Sequence, residues 1–66
     1  MPSTVIRAAH YDAERQVLDI LFITGRRYLY HQVPPDEADA FRAAFSKGRY
    51  FNRHIRDAYP FTEVAR

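Results

Sequence analysis

The sequence predicts an α+β domain over residues 1–66: a three-stranded antiparallel β-meander followed by two short helices packed on one face. Three observations carry this. Leu18, Ile20 and Phe22 alternate at the period of a strand, and so do Tyr28 and Tyr30. The pair Pro34-Pro35 closes that alternation. Ala38, Phe41 and Phe45 then recur at helical spacing.

Val5 to Tyr11 is the first strand. Ile6 falls out of step with Ala9 and Tyr11, and a bulge would reconcile them. Asp12-Ala13-Glu14-Arg15 suits a hairpin loop before the second strand, which begins at Val17. The second hairpin is constrained by parity. A two-residue Thr24-Gly25 turn would throw Tyr28 to the face opposite Ile20. A three-residue loop, Ile23-Thr24-Gly25, keeps Tyr28 opposite Ile20 and Tyr30 opposite Leu18, with Gly25 at the left-handed position of a type I turn with a G1 bulge. Both tyrosines are then core residues whose hydroxyls reach the sheet edge. The outer face carries Val17, Asp19, Leu21, Arg27, Leu29 and His31, half of them apolar.

The second half reads as helical. Pro is well tolerated at a first helical position, and Asp36, Glu37 and Asp39 follow at the positive end of the helix dipole. Ala38, Phe41 and Phe45 should pack on the sheet. Near Ser46-Lys47-Gly48 the chain turns, and two readings stand. Gly48 ends the first helix in a left-handed conformation, or Ser46 caps a second helix running to about Arg56. Asp57 to Pro60 ends the second helix, and Phe61 packs back onto the core.

Composition limits the function. Sixty-six residues make one small domain, whose core must be dense in large side chains, and five Tyr and five Phe meet that demand. With no cysteine there is no disulfide, thiolate metal site or thiol nucleophile. No apolar run is long enough for a membrane span, and no apolar segment follows Met1, so a cytoplasmic location is expected. His10, His31 and His54 have no metal-site spacing, the serines and threonines sit in no nucleophile motif, and Gly25 and Gly48 make no phosphate loop. A paired-carboxylate hydrolase needs a cleft that so short a chain can hardly build. The expectation is therefore a non-catalytic binding module without metal, cofactor, membrane or small-molecule substrate.

Charge points to the segment that carries function. Residues 47–56 hold Lys47, Arg49, Arg53 and Arg56 and no acid. On a helix Arg49, Arg53 and Arg56 form one stripe enclosing Asn52, flanked by Tyr50 and His54, while Phe51 and Ile55 point to the core. Guanidinium groups grip phosphates and aromatic rings stack on bases, so Lys47, Arg49, Tyr50, Asn52, Arg53, His54 and Arg56 form a candidate nucleic-acid surface, RNA before DNA. The competing reading is a solvated basic face neutralised by Asp57 or by the acidic turn of the first helix. The alternative function is protein binding or self-association through the half-apolar outer sheet face and its unpaired edges.

Taken together, Ile6-Arg7, Tyr11-Asp12, Leu18-x-Ile20-x-Phe22, Gly25, Tyr28-x-Tyr30, Val33-Pro34 and the run Ser46-Lys47-Gly48-Arg49-Tyr50-Phe51-Asn52-Arg53-His54-Ile55-Arg56 resemble the KTSC domain. This is a short bacterial module named for its place at the C-terminus of some lysyl-tRNA synthetases. The resemblance spans roughly Ser3 to Tyr59, with Tyr28, Tyr30, Gly25 and Phe51 as its structural signature. Ala9 departs from it, standing where a larger aliphatic residue is usual. The resemblance supports the fold and, through the synthetase context, RNA as a partner. It implies no established activity and assigns no ligand-binding residues.

Overall fold

The computed structural model describes residues 6–64. Four strands form one antiparallel sheet in the order β1-β2-β3-β4: β1 Ile6–Asp12, β2 Val17–Phe22, β3 Arg27–Tyr30 and β4 Phe61–Val64. Between β3 and β4 run α1 (Pro35–Ala43), α2 (Lys47–Tyr50) and a π-helical segment, Phe51–Ile55, that continues α2 without a break. The fold is α+β, but the three-strand meander expected from the sequence is one strand short.

Both hairpins follow from their loop chemistry. Asp12 Oδ1 accepts the backbone N–H groups of Glu14 (3.1 Å) and Arg15 (3.2 Å), which turns the chain into β2 and leaves Asp12 opposite Val17. Tyr11 then faces Leu18 and Ala9 faces Ile20. The register shifts between Ile6 and Ala8, so Ile6 pairs with Phe22 and joins the inner face. This is the expected bulge, with Arg7 as the extra residue. In the second hairpin Gly25 has φ 93° and donates its N–H to the Phe22 carbonyl, and the Phe22 N–H donates to Arg26. That is the three-residue loop required by parity, and Tyr28 pairs with Ile20 and Tyr30 with Leu18.

The fourth strand is joined to the third from far along the chain. The His31 N–H donates to the Pro60 carbonyl at 2.8 Å, after which Phe61 pairs with Tyr30 and Thr62 with Leu29. Phe61 is half exposed, and its ring stacks on Tyr28 (5.1 Å) and leans on Tyr30 (5.4 Å).

The inner sheet face is covered by the helices. Leu18, Ile20, Tyr30, Val33, Ala38, Phe41, Phe51 and Ile55 form the core. Phe51 is its hub, meeting Phe22 and Tyr30 edge-on at 5.5 and 5.2 Å. Burial pushes the Tyr30 hydroxyl up to about 12. Pro34 caps α1 in an extended conformation, Pro35 occupies the first helical position, and Asp36 and Glu37 lie in the first turn. At Ala44 the backbone turns extended (ψ 139°) and α1 ends. Phe45, expected in the core, consequently lies outside it, fully exposed.

Candidate functional site

Ser46 builds the basic segment. Its backbone is extended (φ −118°), and its hydroxyl accepts the Arg49 N–H at 3.3 Å. Of the two readings of this turn the cap is the one realised, and Gly48 lies inside α2. One turn later the hydrogen bonding widens: the Arg56 N–H donates to the Phe51 carbonyl, five residues back. Phe51 and Ile55 stay buried. The wider turn changes the angular spacing that an α-helical stripe assumes.

Arg49, Tyr50, Arg53 and His54 gather with Phe45 and Ser46 around one shallow notch of about 230 Å³. Lys47, Asn52 and Arg56 do not line it. Lys47 folds back toward the Ala44 carbonyl (Nζ–O 3.4 Å) and lines a different cleft, between β1 and α1. Arg56 lies where its charge reaches the Tyr30 hydroxyl. Asn52 is half-buried.

The cations of this segment have no ion-pair partner among the described residues. Among the described residues, Arg26, Arg27 and Arg42 form the ion pairs, with Glu63, Asp19 and Asp39. No described carboxylate lies within ion-pair distance of Lys47, Arg49, Arg53 or Arg56, all of which are exposed. Asp57 follows Arg56 directly in the chain but forms no ion pair with it, and Glu37, in the acidic turn of α1, is committed elsewhere. Its carboxylate accepts hydrogen bonds from the Tyr50 hydroxyl and, at 3.0 Å, from the Tyr59 hydroxyl. The bond to Glu37, aided by burial, pushes Tyr50 up to about 12. Burial first, and Glu37 second, raise Tyr59 as well. Tyr50 is thus a strut between α1 and α2, its ring held between Phe41 (6.3 Å) and His54 (4.4 Å).

Phe45 is the surface residue that sequence periodicity hid. It projects into solvent beside two guanidinium groups, a flat apolar face next to fixed positive charge. The outer sheet face differs in character. Arg27 grips Asp19 through Nε (2.9 and 3.1 Å) and Nη2 (2.5 Å), and His31 Nε2 shares a hydrogen with Thr62 Oγ1 at 2.9 Å. Its polar groups are largely paired with one another, and Val17, Leu21 and Leu29 are half-buried.

No group of three or more His, Cys, Asp or Glu residues among those described is placed to hold a metal ion, and no described helix is long and apolar enough to cross a membrane.

The KTSC domain family model matches residues 2–59. A protein of Tsukamurella paurometabola is 40% identical over 57 residues, covering 86% of this chain and 85% of that one. The crystal structure of a KTSC domain protein from Yersinia pestis superposes with a TM-score of 0.86 at 30% identity, over 98% of this chain and 90% of the other. A lysine–tRNA ligase of Nostoc punctiforme is 34% identical over 62 residues, which is 94% of this chain but 11% of the ligase.

Proposed function

The chain belongs to the KTSC domain family, and from that premise we propose that it is a non-catalytic module that binds single-stranded or looped RNA in the cytoplasm. A base stacks on Phe45, and the phosphates beside it lie on Arg49 and Arg53, with His54 at the rim. Lys47 and Arg56 extend the positive field along the strand on either side. The observation that carries this reading is the exposed Phe45 ring beside two arginines that no described carboxylate pairs with. Burying a phenylalanine is worth about 1.5–3 kcal/mol, and this fold forgoes it at a position flanked by phosphate-binding groups. A stacking ring within a cationic groove is the recurrent solution for single strands. The lysine–tRNA ligase relative, whose name makes it an enzyme acting on transfer RNA, carries a similar segment and supports RNA as the partner class.

The test is fluorescence anisotropy with labelled single-stranded RNA, an RNA hairpin and a transfer RNA, at about 50 and 200 mM salt. Four neutralised phosphates weaken binding by roughly 50–150-fold across that range. The Arg49/Arg53/Arg56→Ala variant should lose both the binding and the salt slope while keeping the wild-type melting temperature. Absence of binding at 50 mM salt refutes the reading. A concentration-dependent mass abolished by Leu21→Lys or Leu29→Lys would instead favour association through the outer sheet face.

A further inference from the structure

Ala9 sits opposite Ile20 on the inner side of the sheet, yet Ile20 has no exposed surface and Ala9 is exposed. By register Ala9 belongs to the core, so solvent must reach beneath the strand. It does so through a cleft between β1 and α1 with a volume of about 500 Å³. A chain of this length was expected to have no room for one. The cleft exists because two small side chains, Ala9 on the strand and Ala38 on the helix, face it where larger ones would meet. Leu18 and Phe41, both buried, add to the apolar lining together with Ile6 and Ala8.

The two ends differ. At one, the Tyr11 hydroxyl donates to the Val33 carbonyl at 2.6 Å and ties the end of β1 to the chain entering α1. At the other, Arg7 from the β1 bulge, Arg42 from the last turn of α1 and Lys47 from α2 supply positive charge from three separate segments. No lining residue is a carboxylate. Asp39, outside the lining, engages Arg42 at 3.2 Å and leaves Arg7 and Lys47 with no ion-pair partner among the described residues. The volume lies within the range of small-molecule sites, about 300–1,000 Å³. An apolar interior with cations at one end matches one class of ligand on both counts.

We propose that this cleft binds a small organic anion with an apolar body, such as a medium-chain carboxylate. The hydrocarbon lies against Ala9, Leu18, Ala38 and Phe41, and the carboxylate meets Arg7 and Lys47. The cleft shares no lining residue with the Phe45 notch, although Lys47 belongs both to the cleft and to the wider basic surface proposed for RNA.

The probe is sodium decanoate, titrated below its micellar concentration into the full chain and followed by amide chemical shifts. Decyltrimethylammonium and decan-1-ol serve as controls. Decanoate should shift amides of β1 and α1, bind at least tenfold more tightly than the cationic amphiphile, and bind more tightly than the alcohol. Ala9→Leu fills the cleft and should weaken decanoate at least tenfold while leaving RNA affinity unchanged. Arg7→Glu lies on the surface and tests charge without touching the packing; it should erase the preference for decanoate over decyltrimethylammonium. The proposal is overturned if decanoate leaves the β1 and α1 amides unmoved, if it binds no better than the cation, or if Arg7→Glu keeps the preference. Should Ala9→Leu fail to fold, the Arg7→Glu result decides alone.

Discussion

Phe41 and Phe45 stand one helical turn apart in sequence and could hardly differ more. Phe41 is 3% exposed and packs in the core, while Phe45 is as exposed as a ring can be. The same contrast runs through the next segment, where Phe51 and Ile55 are buried and Arg49, Arg53 and His54 face water. The inner rings are matched to one another: Phe22, Tyr28, Tyr30, Phe51 and Phe61 form a connected set of edge-on and stacked contacts. The exposed side of the helical segment presents a ring and several cations that find no ion-pair partner among the described residues. The difference teaches that aromatic content alone does not separate stability from binding in a chain this small. Ring contacts and charge partners do.

The inner side of this contrast should break most violently. Phe51→Ala removes the ring that meets both Phe22 and Tyr30, leaving a cavity at the centre of the core. Such truncations cost about 3–5 kcal/mol, the order of the whole stability of a small domain. Urea denaturation should show the variant largely unfolded without denaturant. A midpoint close to wild type would mean that the core does not depend on this ring.

How much of this was legible beforehand depends on whether the deciding interaction is local. The second hairpin was readable because parity and Gly25 both demand the same three-residue loop. A bulge in the first strand was readable because Ile6 fell out of step with Ala9 and Tyr11, but its place at Arg7 came only with the register. The fourth strand was not. Phe61-Thr62-Glu63-Val64 is too short for a periodic signal, and it pairs with β3 across the whole helical half of the chain. Phe45 was misread as core because residues 38, 41 and 45 fit a helix so well. The signal against it lay in the next residue. A capping serine needs an extended backbone, so a helix starting after Ser46 forbids one continuing through it. Choosing the cap would have ejected Phe45 from the core. The π-helical turn has no signature in the sequence that we can identify, and with it the separation of Arg56 from the notch was out of reach.

The outer side of the contrast is sharpened by Phe45→Ala. If the ring is a stacking platform, the variant should lose about 1–3 kcal/mol of RNA affinity, the usual worth of a base stacked on an aromatic side chain. Because the ring touches no core residue, thermal unfolding should not change. Anisotropy and calorimetry on the same preparation separate the two sides of the comparison. An unaltered RNA affinity would remove Phe45 from the proposed site and leave the arginines to act by charge alone. A fall in melting temperature would show that the ring contributes to the fold after all.

Tyr50 belongs to both regions, and its expected effect is the smallest. Its hydroxyl donates to Glu37, and its ring supports His54 at the edge of the notch. Tyr50→Phe keeps the ring and removes the hydrogen bond, at a cost of about 1 kcal/mol near neutral pH. The pH dependence identifies the cause. A tyrosine whose hydroxyl ionises near 10 in the unfolded chain but at about 12 in the folded one stabilises the fold fully below pH 10. That contribution is lost as pH rises from 10 through 12, because the unfolded chain gives up its proton first. Tyr30, raised to about 12 by burial, adds a loss in the same window. Wild type should therefore weaken over that range, and Tyr50→Phe should weaken less steeply, retaining only the shares of the other raised tyrosines. Urea midpoints at pH 8, 10 and 11.5 should bring the two proteins together as pH rises. Midpoints that already coincide at pH 8 would mean that the Glu37 bond adds nothing to stability, and that Tyr50 holds α2 against α1 through its ring contact with Phe41.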